Sequence, residues 1–225
     1  MVYLILILSV VFGTLIVLLK KPTRTFTQIL LAFSGAYLLS VTILHLLPEV
    51  FENPKEHIGL FILFGILIQS ILENFSKGVE HGHIHVHENI KKIPWLLLVS
   101  LGFHAFFEGI PLGSKDNNST LLWAIVIHKI PIAIVLTSFL LQSKLSKAAI
   151  FTLIGLFALM SPLGYFFCET ISFFSDYLTE ITAIIIGVFL HISTIILFET
   201  SENHSYNLKK LIAILLGFAI AWMSL

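Results

Sequence analysis

The sequence is poor in charge. Aspartate, glutamate, lysine and arginine make up 12% of its 225 residues, about half the share in a soluble globular domain. A soluble chain of this length needs far more polar surface than that. Acidic and basic residues balance at 13 each, so there is no basic footprint for nucleic acid. Cysteine is reduced to Cys168, which excludes an intrachain disulfide framework and any multi-cysteine metal site. No polar stretch between the apolar runs has room for a soluble domain.

What is present is apolar. Hydrophobic residues reach 57% and the mean hydropathy is +0.97. The surplus must face lipid, which makes the chain an integral membrane protein. A spanning helix needs roughly 20 mostly apolar residues. Runs of that kind fall at about 2–19, 26–50, 57–75, 94–112, 121–142, 146–168, 178–198 and 208–224. The expected fold is all-α, with eight transmembrane helices in a single domain over 1–225 and a His-rich loop over 76–93. The first run has no charged segment before it and no small-residue cleavage site after it, so it is read as a span and not a signal peptide.

Cations orient the bundle. The connectors after the first, third, fifth and seventh spans carry Lys20, Lys21, Arg24, Lys77, Lys91, Lys92, Lys144, Lys147, Lys209 and Lys210. Those after the second, fourth and sixth carry Lys55 and Lys115. Ten against two places the first set on the cytoplasmic side and both termini outside. The remaining cation, Lys129, lies within a span.

Ionisable side chains inside a membrane are costly and point to function. In the fourth span, HAFFEG sets His104 and Glu108 one turn apart on one helical face. Gly109 permits close backbone approach, and Pro111 cannot donate to the carbonyl of Phe107, leaving that oxygen open to a water or an ion. The fifth span repeats the device in HKIP, with His128, Lys129 and Pro131. Imidazole nitrogen and carboxylate oxygen are ligands that Zn²⁺ and its first-row neighbours accept. The plainer account of Glu108 and Lys129 is a buried ion pair.

Other polar positions extend the set. LHLLPE puts His45 and Glu49 one turn apart at the outer end of the second span, as an entrance pair. GVFLH puts His191 near the middle of the seventh, where it would line the path, and SPLG at 161–164 is expected to break the sixth span and let it approach the site. In the third connector His81, His83, His85 and His87 alternate in a polar run, a composition that binds metal and does not pack.

These motifs resemble those of the ZIP family of divalent-metal transporters. HAFFEG looks like the family's H-x-x-x-E-G motif and HKIP like its partner; LHLLPE, SPLG and GVFLH support them, and the likeness covers nearly the whole chain. The resemblance implies a ZIP-like bundle, with spans 1–3 and 6–8 as inverted repeats around spans 4–5. It implies a metal site between spans four and five, worked by alternating access, with His104, Glu108 and His128 at the primary positions. Many members carry an acidic residue where this chain has Ile132, and second-metal ligands where it has Ala105 and Lys129. An ammonium at Lys129 points to one metal site, not two.

The expected cargo is Zn²⁺, with Fe²⁺, Mn²⁺ and Cd²⁺ as further candidates, moved into the cytoplasm across a plasma or inner membrane. The metal is substrate, no enzyme activity is expected, and the partners are the divalent ions and the bilayer, with a homodimer left open. The competing readings are a membrane-embedded zinc hydrolase, against which stands the absence of H-E-x-x-H, and a bis-His haem protein. The loop histidines are expected to catch released metal and tune its rate of passage. Changing His81, His83, His85 and His87 together to Ser should leave metal flux measurable in vesicles. Flux abolished as fully as by losing His104 would make the loop part of the path.

Overall fold

The computed structural model describes residues 1–52, 55–76, 93–113, 119–198 and 208–224. Among these residues the regular structure is helical throughout: α1 Val2–Leu19, α2 Arg24–Val41, α3 Leu47–Glu52, α4 Ile58–Ser76, α5 Trp95–Gly109, α6 Ser119–Gln142, α7 Lys147–Thr170, α8 Ser172–Asp176, α9 Leu178–Phe198 and α10 Leu208–Ser224. A π-helical turn at Thr42–Leu46 joins α2 to α3, and a 3₁₀ turn at Ile110–Gly113 follows α5. Seven of the described helical segments are long and apolar enough to cross a membrane. The eighth expected span is α10, at 17 residues. Two starts are capped by side chains: Thr23 accepts from the Phe26 amide, and Ser146 from the Ala149 amide, each satisfying an N–H that has no partner within the helix.

Two local expectations are corrected, and the second span carries a distortion of its own. The second span is not uniform α-helix. Pro48 has no amide hydrogen for the preceding turn, and the ladder slips to π geometry at Thr42–Leu46 just before it. Pro162 does not break the sixth span, because α7 runs without interruption from Lys147 to Thr170; a proline inside a packed membrane helix is tolerated when neighbours take up the freed groups. The carbonyl of Phe107 is not left open by Pro111. The helix tightens into the 3₁₀ turn, and the Ile110 amide donates to that oxygen.

The helices are layered by burial. On α6, 78% of the apolar window lies inside the bundle, against 17% on α4. α6 is therefore the central post, while Leu60, Leu63, Phe64 and Leu67 of α4 are exposed as a lipid-facing stripe. The most extensive pairings are α4 with α9, α2 with α10, α1 with α6, and α5 with α7. Contacts advance together along both members: Gly65 faces Ile184 and Glu73 faces His191, so α4 and α9 run in the same direction. Exchanging spans 1–3 with 6–8, and span four with five, turns α1·α6 into α7·α5 and α4·α9 into α10·α2. The inverted repeat is thus written in the packing.

Glycine sets how closely these pairs approach. A Cβ at Gly187 would strike the backbone of Ile62 and Ile66 on α4, and one at Gly164 the backbone of Phe106 on α5. Backbone cannot swing aside as a side chain does, so an added methyl must push whole helices apart. Overpacking costs about 1–3 kcal/mol even where side chains can adjust. Gly155, by contrast, has nothing near the place a Cβ would take. Gly187→Ala should lower the thermal unfolding midpoint in detergent while Gly155→Ala leaves it unchanged; equal midpoints for the two variants would contradict this packing.

Candidate metal centre

α5 is placed by α7. Ser161 donates its hydroxyl to the Ala105 carbonyl at 2.6 Å, and Gly109 lies against the Ser161 backbone. That contact fixes the rotation of α5 about its axis and turns His104 and Glu108 toward α6. Both are enclosed, His104 at 0% exposure and Glu108 at 1%. His128 and Lys129 on α6 are equally buried.

The four side chains make a compact polar island. His104 Nε2 lies 2.7 Å from Glu108 Oε1, and Lys129 Nζ lies 2.8 Å from Glu108 Oε2. One carboxylate oxygen thus serves each neighbour. The rings of His104 and His128 stand edge to face with centroids 6.1 Å apart. One ligand atom from each of His104, Glu108 and His128 falls within 4.8 Å of the others, the one such group of three among the described residues. Lys129 Nζ also sits 5.2 Å over the ring of Phe157 on α7, a cation–π contact that helps to hold an ammonium away from water.

The charges balance. With both imidazoles neutral, Glu108 and Lys129 cancel, so the buried island carries no net charge. Removing one member of such a pair costs about 3–5 kcal/mol, because the other is left buried and unpaired. A divalent ion could take Oε1 from His104 while Oε2 stayed on Lys129. Two imidazole nitrogens and one carboxylate oxygen form a donor set that suits Zn²⁺ with a further position for water.

Ser34, on α2, was not singled out from the sequence. Its hydroxyl lies 3.5 Å from His128 Nδ1 and donates to the Leu31 carbonyl at 3.1 Å. A hydroxyl has one proton to give, so toward His128 it acts as acceptor. That assigns the imidazole proton to Nδ1 and leaves the Nε2 lone pair for the cluster, the usual way an outer partner orients a metal-binding histidine. Glu73 was also missed; its signal was an acid near the end of an apolar run.

The remaining candidates lie elsewhere. His45, on the π-helical turn, and Glu49, on α3, are half-buried and outside the cluster. His191 of α9 meets Glu73 of α4, Nε2 to Oε2 at 2.6 Å, and is not part of the cluster. Cys168 is buried where α7 passes Gly113, as packing. His81, His83, His85 and His87 fall outside the described residues.

Comparison with known proteins adds a lineage. A family profile described as ZIP Zinc transporter matches residues 77–224. The zinc transporter ZIP1 of Danio rerio is 33% identical over 87 residues, covering 37% of this chain and 29% of that protein. ZIP1 of Takifugu rubripes is 30% identical over 151 residues, 62% of this chain and 49% of that protein. The zinc transporter zipt-7.1 of Caenorhabditis briggsae is 24% identical over 211 residues, 65% of this chain and 54% of that protein. The chain spans about half the length, or less, of these curated relatives.

The ammonium of Lys129 takes up the side of Glu108 that a second cation would need. Purified protein soaked in Cd²⁺ should show one strong anomalous peak among His104, Glu108 and His128. Two strong peaks within that cluster would contradict a one-metal centre.

Proposed function

The chain belongs to the ZIP zinc transporter family, and from that premise we propose that it carries divalent transition-metal cations, Zn²⁺ foremost, across the membrane through His104, Glu108 and His128. The observation that carries this reading is the gathering of three buried ligand atoms within 4.8 Å of one another, on helices enclosed by the bundle. The relatives' names support zinc. Fe²⁺, Mn²⁺ and Cd²⁺ are the further cargoes this donor set accepts.

Several features support the finer reading. The cluster is closed to solvent, with exposures of 0–1%, so an ion reaches or leaves it only when helices move. That favours alternating access, in which the site opens first to one side of the membrane and then to the other. The cation bias of the connectors supports extracytoplasmic termini and passage into the cytoplasm across a plasma or inner membrane. The whole chain then acts as one transport domain. Hydrolysis is the weaker reading: both oxygens of Glu108 are engaged, by His104 and Lys129, and the cluster offers no spare carboxylate as a general base.

Uptake of several radioactive divalent metals into proteoliposomes tests the proposal. Wild-type protein should accumulate Zn²⁺, and Glu108→Ala should fall to the background of empty vesicles while eluting as folded protein on gel filtration. Wild-type rates from well-folded Glu108→Ala would overturn the assignment of the site.

A further inference from the structure

Lys129 stands inside the centre without being a ligand. Its ammonium meets the Glu108 carboxylate at 2.8 Å, and each side chain is 1% exposed. The ring of Phe157 lies 5.2 Å from Nζ. Glu108, Lys129 and Phe157 belong to α5, α6 and α7, and α7 packs against both of the other two. Lys129 also follows His128 directly along α6. Adjacent on one helix, the cation and that ligand move together whichever side of the membrane the site faces.

Charge separates the empty centre from the loaded one. Empty, with both imidazoles neutral, Glu108 and Lys129 cancel. Loaded, the divalent ion adds its two charges and nothing in the cluster offsets them. Without Lys129 the empty centre would hold a bare carboxylate at 1% exposure, a state that burial strongly disfavours. Such a centre would return across the membrane only with a proton or another cation on Glu108. With Lys129 in place the empty centre is already neutral and needs no companion. The ammonium acts on the loaded centre too. It holds Oε2 while the ion takes Oε1, and like charges at that separation repel in a dry interior. The repulsion weakens the hold on the ion and favours its release.

We propose that Lys129 is a tethered counter-cation for the return step. It neutralises Glu108 when the centre is empty, so the unloaded protein reorients with no proton or second metal aboard, and each ion carried inward moves two positive charges. The proposal rests on the transport reading above. Lys129 acts on the cargo through Glu108, as a positioning residue. Moving two charges down the membrane potential also supplies the driving force for uptake without a coupled ion.

Net uptake and exchange separate the two steps. Net uptake needs the empty protein to return; exchange between equal pools of Zn²⁺ does not. Both are measured with radioactive Zn²⁺ in bicarbonate-free proteoliposomes, for the wild type and for Lys129→Met, whose side chain is apolar and nearly as long. In Lys129→Met the ratio of net uptake to exchange should fall about tenfold or more, well within the penalty for a buried carboxylate that has lost its partner. Half-saturation should move to lower Zn²⁺, because the repelling charge is gone. An unchanged ratio, whether both fluxes fall or both persist, would make Lys129 a structural group and overturn the proposal. Should Lys129→Met fail to elute as folded protein, the wild type decides alone. Its Zn²⁺ accumulation under imposed potassium diffusion potentials should follow the potential as two charges per ion. One charge per ion, the mark of a proton returning with the empty protein, would overturn the proposal, as would accumulation indifferent to the potential. Wild-type vesicles that move Zn²⁺ in neither mode would instead overturn the transport reading.

Discussion

One carboxylate organises the centre of this molecule. Glu108 is enclosed in the bundle at 1% exposure and reaches His104 with one oxygen and Lys129 with the other. A bare carboxylate could not stay ionised there. The ammonium neutralises it, the imidazole of His104 lies 2.7 Å from its other oxygen, and the ring of Phe157 lies beneath the ammonium. The pair joins α5 to α6 inside the bundle, with each side chain 1% exposed. What would be a modest contact on a protein surface becomes a fixed register between two helices.

The surrounding helices serve that register. α7 presses on α5 at Gly109 and Gly164, and its Ser161 hydroxyl bonds the Ala105 carbonyl. α2 reaches the site from another side through Ser34, whose acceptor role leaves His128 Nε2 turned toward the cluster. Electrostatics thus selects the residues, while close backbone packing selects their direction. The paired exchange of α1·α6 with α5·α7, and of α4·α9 with α2·α10, places the site between two halves of like construction.

Much of this was legible in the chain. Apolar runs of bilayer length marked the spans, because a lipid-facing helix has to be apolar over its whole thickness. His104 and Glu108 were legible as a pair, since residues four apart share a helical face. Pro131 and Gly109 marked the same region. Other local signals misled: Pro162 suggested a break and Pro111 an open carbonyl, but neighbouring helices and a 3₁₀ turn absorbed both. Pro48 did perturb its helix, as a π turn and not a stop. A proline states which hydrogen bond is lost; it does not state how the surroundings replace it.

By itself, then, the sequence determined the solvent and the spans, and it marked the candidate ligands. Each of these depends on residues close together along the chain: hydropathy sums over a window, and candidate ligand pairs stand at helical spacing. Only the tertiary structure decided partnerships between distant segments. It brought His128 to Glu108, set Ser34 behind His128, and joined His191 to Glu73 instead of to the central cluster. In lipid, all the spans are apolar alike, and hydrophobicity cannot say which helix lies beside which. That choice falls to shape, above all to the glycines that admit a neighbour's backbone, and to the few polar groups that must find one another where no water is available.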